Sequence, residues 1–187
     1  MKESTRDRRV KYTVSVLKDA LVLSLKSEHI SKISVKSLCE LADINRSTFY
    51  THFEDQYALL HYVEQEALDN IKRYLEKQDF SDKRPVSSQI LARILEYVHE
   101  NADLFKALLS ENCEAGFQRE IMSLSQVVSL NLNKKYDDRV QEYVSVYAMT
   151  GCVSLLQKWL HDGMPESSAE IAGYIMQMLY SGMSSFE

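Results

Sequence analysis

The stretch INRSTFYTHFEDQ, Ile44 to Gln56, sets arginine, serine, threonine, tyrosine and histidine side chains around two phenylalanines spaced four apart. Asn45 is a good N-cap, and Arg46 to about Phe53 reads as a helix of barely two turns. Just upstream, Ser34 caps a second short helix with Val35, Leu38, Leu41 and Ala42 on one face, and ADIN interrupts it. Two short helices joined by a three- or four-residue turn form a helix-turn-helix. Phe49 and Phe53 are expected to point inward with Leu38 and Leu41, leaving Arg46, Ser47, Thr48, Tyr50 and Thr51 largely outward. The second helix of such a pair lies in the DNA major groove, where outward side chains must donate to base edges and phosphates. Arg46 suits guanine or phosphate, and the hydroxyls of Ser47, Thr48 and Tyr50 suit phosphate oxygens.

Amphipathic helices extend on both sides. Val10, Val14, Leu17, Leu21 and Leu25 recur at helical steps, and Arg6, Arg8, Arg9 and Lys11 cluster at the start of that helix. A long helix is predicted from Gln56 to Lys77, capped by Asp55, with Leu59, Leu60, Val63, Ala67, Ile71 and Leu75 as its stripe. KQDFSDKRPVSS reads as a linker. Beyond it come helices through Ile90 to Val98, NADLFKALLSEN, and Phe117 to Leu132. The Asp138–Leu160 stretch carries Val140, Val144, Tyr147, Met149, Val153, Leu155, Leu156 and Trp159 on more than one face, so it is either a buried core helix or one that packs on a second subunit. Gly163 can end it. Ser167 and Glu170 form a capping-box pattern for a last helix with Ile171, Ile175, Met178 and Leu179 on its buried side.

The expected fold is therefore all-α, with about nine helices, a helix-turn-helix domain over residues 1–55 and a larger helical domain over 56–187. Composition agrees: 45% of the residues are hydrophobic, while only 5 glycines and 2 prolines punctuate the chain. From Met1 to Tyr62 there are 10 Lys+Arg against 8 Asp+Glu, leaving 12 against 19 in the remainder. A slightly basic start on an acidic body fits one part facing a polyanion and one that does not. The three cysteines, Cys39, Cys113 and Cys152, are widely spaced in apolar runs and read as reduced core residues. The polar start MKESTRDRRVKYT and the lack of any run near ~18 apolar residues lead to the expectation of a soluble, cytoplasmic protein.

ISVKSLCELADINRSTFYTHFEDQYALL resembles the DNA-binding domain of the TetR family of transcriptional regulators, whose pattern ends in an aromatic Y-x-H-F followed by LL. The resemblance runs from about Arg8 to Ala67. It implies that Thr48, Tyr50 and His52 stand where family members touch DNA, with Lys36 near the start of the preceding helix. LFKALLSE and WLHDGMPESSAEIAGYI resemble a subgroup described for low-GC Gram-positive bacteria. Two positions depart from the family pattern: Asp43 replaces a glycine in the turn, which its tolerance of the left-handed region allows, and Gln56 replaces a phosphate-contacting lysine just after Glu54 and Asp55.

The resemblance further implies a homodimer joined through its last two helices, with Tyr143, Tyr147, Leu155, Trp159, Tyr174 and Met178 as candidate interface residues. It also implies a pocket for a small-molecule effector, for which His61, Tyr97, His99, Phe105 and Met122 are candidates, although aromatics and methionine at helical spacing more often form plain core. The partners expected are thus double-stranded DNA, a second copy and an effector. The chain shows no metal-ligand spacing around His29, His61, His99 or His161, no cofactor motif and no catalytic motif, and an enzyme is not expected. The leading function is a repressor released from a palindromic operator by an effector; the alternative is a coregulator whose larger domain binds a protein partner.

Overall fold

The computed structural model describes residues 5–76, 88–113, 116–123 and 137–183. Among them the chain forms α1 (Thr5–Leu25), a 3₁₀ turn (Ile30–Lys32), α2 (Val35–Ala42), α3 (Arg46–His52), α4 (Gln56–Glu76), α5 (Ser88–Glu100), α6 (Ala102–Leu108), α7 (Gly116–Ser123), α8 (Asp138–His161) and α9 (Ser168–Met183), with no strand. The fold is all-α, as the periodicity indicates. Most of the predicted linker, together with Leu124, Val128 and Leu132, lies outside the described residues, as do the side chains of Arg6, Leu75 and Met122.

The chain divides into two compact units, Met1–Ala67 with Ala107–Ala115, and Leu68–Lys106 with Gly116–Glu187. In the first, Leu17, Leu21 and Leu25 of α1 are buried with Ile30, Ile33, Leu38, Phe49, Leu59 and Val63. Val10 is exposed, so the stripe of α1 enters the core only from its third turn onward. Lys18 on α1 forms an ion pair with Glu66 on α4. Residues Ala107–Ala115 join this unit by hydrogen bonds that no local pattern announces. The backbone carbonyl of Asn112 accepts from the Ile30 N–H at 2.9 Å, and its side-chain Nδ2 donates to the Leu25 carbonyl at 2.9 Å. The second bond satisfies a carbonyl in the last turn of α1 that has no partner within the helix.

In the second unit α5 packs on α9, and α7 on α8. Val98, Leu104, Phe117, Val144, Val153, Trp159, Ile171 and Ile175 are buried. Asp137 caps α8 by accepting from the Val140 N–H at 2.9 Å. After α8 the backbone turns through Gly163 (φ 86°) and Met164 (φ 59°), both left-handed. The capping box then opens α9 as read: Glu170 accepts from the Ser167 N–H at 2.9 Å and from its hydroxyl at 2.7 Å, and the Glu170 N–H donates back to Ser167 Oγ at 3.3 Å. Among the described residues no helix is long and apolar enough to cross a membrane.

Candidate nucleic-acid interface

Helix α2 begins with a capping box. Ser34 Oγ accepts from the Ser37 N–H at 3.0 Å, and the Ser34 N–H donates to Ser37 Oγ at 3.2 Å, so a serine fills the position where glutamate or glutamine is usual. The helix ends at Asp43, whose backbone is left-handed at φ 52° and ψ 48°. Asp43 therefore does what glycine does in such turns, and Asp43, Ile44 and Asn45 complete the three-residue link to α3.

Two local expectations are corrected. Leu41 is 53% exposed, because the buried stripe of α2 falls on Leu38 and Cys39, with Val35 and Ala42 half-buried on either side, and Leu41 lies off it. Asn45 occupies the N-cap position with extended backbone but makes no side-chain hydrogen bond to α3. The helix is instead fixed from below. Phe49 is fully buried and Phe53 nearly so, their rings 5.9 Å apart, and Tyr62 of α4 stands edge-on to Phe53 at 5.6 Å. Seven residues are far below the length that is helical alone in water, so this aromatic anchorage is what holds α3 in shape.

With Phe49 inward, Arg46, Ser47, Tyr50 and Thr51 are exposed, and Thr48 and His52 are half-buried on the flank. Tyr50 is 59% exposed, its ring braced edge-on against Phe49 at 5.6 Å. Thr51 differs from the expectation of an outward donor: its hydroxyl donates to the Ser47 carbonyl at 2.9 Å, leaving its oxygen only as an acceptor. Lys36 is exposed near the start of α2 and lies 3.7 Å from Glu40. Asp55, two residues past Phe53, is engaged in capping α4, accepting from the Ala58 N–H at 2.8 Å. Burial pushes the Cys39 thiol up, while the positive charge of Arg46 acts the other way. A face of this kind offers one guanidinium and several hydroxyls, with an imidazole on its flank.

The second unit has a different surface. An open groove of about 1060 Å³ runs along α8 and α9, with Gly151, Ser154, Ala148 and Cys152 as small residues and Tyr143, Tyr147, Leu155, Met178 and Leu179 around them. Tyr143, Tyr147, Tyr174 and Met178 are exposed, and Tyr147 is 82% so. Trp159 departs from the expected anchors. It is buried within its own chain, with Nε1 donating to the Glu166 carbonyl at 3.1 Å, because the left-handed turn after α8 folds that carbonyl back over the indole. The two faces expected of α8 thus separate: Val144, Ala148 and Val153 are buried, and Tyr143, Val146 and Tyr147 are not.

Four of the candidate effector residues have described side chains. His61 is exposed in the first unit, 4.0 Å from Glu64. In the second unit, Tyr97 accepts from Asn70 Nδ2 at 2.9 Å and stands edge-on to Phe105 at 5.6 Å, while Phe105 lies 6.1 Å from Phe117 and is fully buried. Both serve as packed core. His99 is exposed, its ring 6.0 Å from that of Trp159.

Comparison with known proteins agrees with this architecture. The TetR-type family model described as a transcriptional regulator C-terminal region matches residues 86–181, just over half of the chain. YxbF of Bacillus subtilis (strain 168), described as an uncharacterized HTH-type transcriptional regulator, is 20% identical over an alignment 173 residues long that covers 87% of this chain and 43% of that protein. The chain therefore spans less than half the length of that relative. Among solved structures, a TetR transcriptional regulator from Streptococcus agalactiae 2603V is 23% identical with a TM-score of 0.65, over 93% of this chain and 97% of that one. The fatty acid degradation regulator FadR from Bacillus halodurans is 11% identical with a TM-score of 0.61, over 98% of both chains. With a helix-turn-helix at its start and a TetR-type region over its second half, the chain belongs to the TetR family of transcriptional regulators.

Proposed function

We propose that this protein is a homodimeric cytoplasmic repressor that holds a palindromic operator and leaves it when a small molecule occupies its larger domain. The observation that carries the reading is α3, a helix whose inner face is all aromatic anchor and whose outer face is all hydrogen-bonding groups. Residues 1–55 form the DNA-binding part and 56–187 the part that binds effector and partner subunit. Arg46 reads a base edge or grips a phosphate, the hydroxyls of Ser47, Thr48 and Tyr50 contact phosphates, and Lys36, Thr51 and His52 complete the surface.

Dimerisation is assigned to the groove along α8 and α9, where Tyr143, Tyr147, Leu155 and Met178 supply apolar surface, with exposed Tyr174 of α9 added outside the groove. A two-fold axis there presents one α3 to each of two half-sites one DNA turn apart, ~34 Å. Helix α4 runs without interruption from Gln56 to Glu76, so a displacement of its second half is passed along its backbone toward the helix-turn-helix.

The test is selection of bound fragments from a random duplex library, followed by anisotropy on the selected sequence across salt concentrations. A palindrome with a steep salt dependence is the expected result; the absence of any enriched sequence at low salt refutes the reading. A coregulator that docks a protein through its larger domain is the second reading, favoured by the close ring packing of Tyr97, Phe105 and Phe117 where an effector was expected. Mass spectrometry of the purified protein separates the two, since a co-purifying compound belongs to the first alone.

A further inference from the structure

We propose that the first turns of α1 and the flank of α3 form a second phosphate-binding site, in which Arg8, Arg9, Thr13, Thr48 and His52 grip the DNA backbone beside the recognition helix. The inference rests on the DNA-binding reading above and adds residues that reading does not use.

The starting observation is an open concavity in the first unit lined by these residues together with Val10 and Tyr12. Thr48 and His52 are one helical turn apart on α3 and are half-buried, whereas Arg46, Ser47, Tyr50 and Thr51 stand fully outward. The concavity therefore lies on the side of α3, not on the face turned to the bases. A helix in the major groove, which is about 12 Å wide, has a sugar-phosphate backbone running along each side of it. A notch at that position meets phosphate.

Its chemistry matches. Arg8 and Arg9 are exposed, and among the described residues neither is held in an ion pair. Two guanidinium forks can each take a phosphate through paired N–H donors, and the hydroxyls of Thr13 and Thr48 and the imidazole of His52 can fill the remaining acceptor directions. Asp7, the acidic residue of the same turn, does not line the notch. The early exposure of α1 has a use here too: Val10 and Tyr12 are exposed, so this end of the helix is held out from the core with its arginines presented.

The helix-turn-helix face also needs this cation supply. Lys36 sits 3.7 Å from Glu40, and Glu54 and Asp55 follow directly on α3, which leaves Arg46 as the one cation of α2 and α3 outside an ion pair among the described residues. Phosphate contacts dominate the affinity of DNA-binding proteins, and a single cation on the reading surface supplies little of it.

The test compares the full-length protein with R8A/R9A and R8K/R9K on the selected operator. The alanine pair is expected to weaken binding to all sequences alike, leave the ranking of operator variants unchanged, and flatten the log–log salt slope by about 0.9 for each phosphate no longer neutralised, about 1.8 per protomer if each arginine holds one. The lysine pair keeps most of the slope. A scan of operators carrying one neutral methylphosphonate at a time locates the site: a substitution in each half-site weakens the wild type and leaves R8A/R9A unaffected. Far-UV circular dichroism confirms equal helicity. If the wild type selects a palindrome but the alanine pair keeps its slope and its methylphosphonate profile, the site is refuted while the DNA-binding reading stands. If the wild type selects no sequence, both fall. If millimolar inorganic phosphate shifts the His52 ring resonances with no change in the methylphosphonate profile on R8A/R9A substitution, the notch holds a free anion and the DNA assignment is overturned.

Discussion

Gly151 lies near the middle of the 24-residue α8, on the groove assigned to the dimer, and an added Cβ there meets no heavy atom within 4 Å. Within one chain, the first side-chain carbon of Gly151→Leu therefore enters open space, and replacing glycine by a good helix former in a helix interior stabilises by about 0.8 kcal/mol. In a two-fold dimer closed through the groove, the same side chain enters twice. Overpacking a well-filled contact costs about 1–3 kcal/mol per site, hence about 2–6 kcal/mol per dimer. At about 1.4 kcal/mol for each tenfold change, the dissociation constant rises about 30-fold to 20,000-fold. The opposite signs are the point of the experiment, since an ordinary core mutation lowers both quantities. Sedimentation equilibrium over a dilution series measures the association, and thermal melts at concentrations where both proteins are monomeric measure the chain. Dimers as tight as wild type place the interface elsewhere. A lower monomer melting temperature refutes the claim of open space above Gly151.

Three further outcomes follow from named contacts. Phe49→Ala removes a fully buried ring that supports α3, at a cost of about 3–5 kcal/mol, and is expected to abolish operator binding while Tyr174 and the α8–α9 region keep their hydrogen-exchange protection; operator binding at wild-type strength means that α3 does not depend on this ring. Tyr50→Ala is expected to weaken binding to every sequence while leaving the salt slope nearly unchanged, because a neutral hydroxyl displaces no counterion, whereas Arg46→Ala costs about 1–3 kcal/mol and relaxes preference at one base pair if it reads a base; anisotropy against a panel of operator variants separates the two patterns, and wild-type binding by both variants moves the recognition surface off α3. The Glu170 carboxyl is held below the ordinary glutamate range, first by the Ser167 hydroxyl and then by the Ser167 N–H. A carboxylate depressed in the folded state stabilises above its unfolded value and loses that effect as pH falls through the folded one, so α9 is expected to loosen on acidification below the ordinary glutamate range. Glu170→Gln should lose that portion of the pH dependence, and an unchanged acid profile of α9 amide exchange refutes the role of this cap.

Much of the local architecture was legible because its causes are local. The capping box at Ser167 and Glu170, the cap at Asp55 and the left-handed turn at Asp43 each depend on atoms within four residues of one another, and they occur where the residue types indicate. The spacing of Phe49 and Phe53 sets the facing of α3 for the same reason. Leu41 escaped because a helix of eight residues can place its stripe on either of two neighbouring rows, and only the packing of Cys39 against the core decides between them. The concavity beside α3 was invisible for a different reason: Arg8 and Thr48 are forty residues apart, and their meeting depends on how α1 and α3 share a core.

By itself, then, the sequence determined the helices, their caps and turns, and the polar outer face of α3, since hydrogen bonding to near neighbours and the 3.6-residue period act within a few turns. The tertiary structure decided what those elements are used for. It buried Trp159 under the Glu166 carbonyl, gave Phe105 to a ring cluster, left Tyr147 open on α8, and set Asn112 against the end of α1 across 87 residues of chain. Such contacts are chosen by which apolar faces can be buried together at close-packed density, a property of the whole chain that no window of its sequence contains.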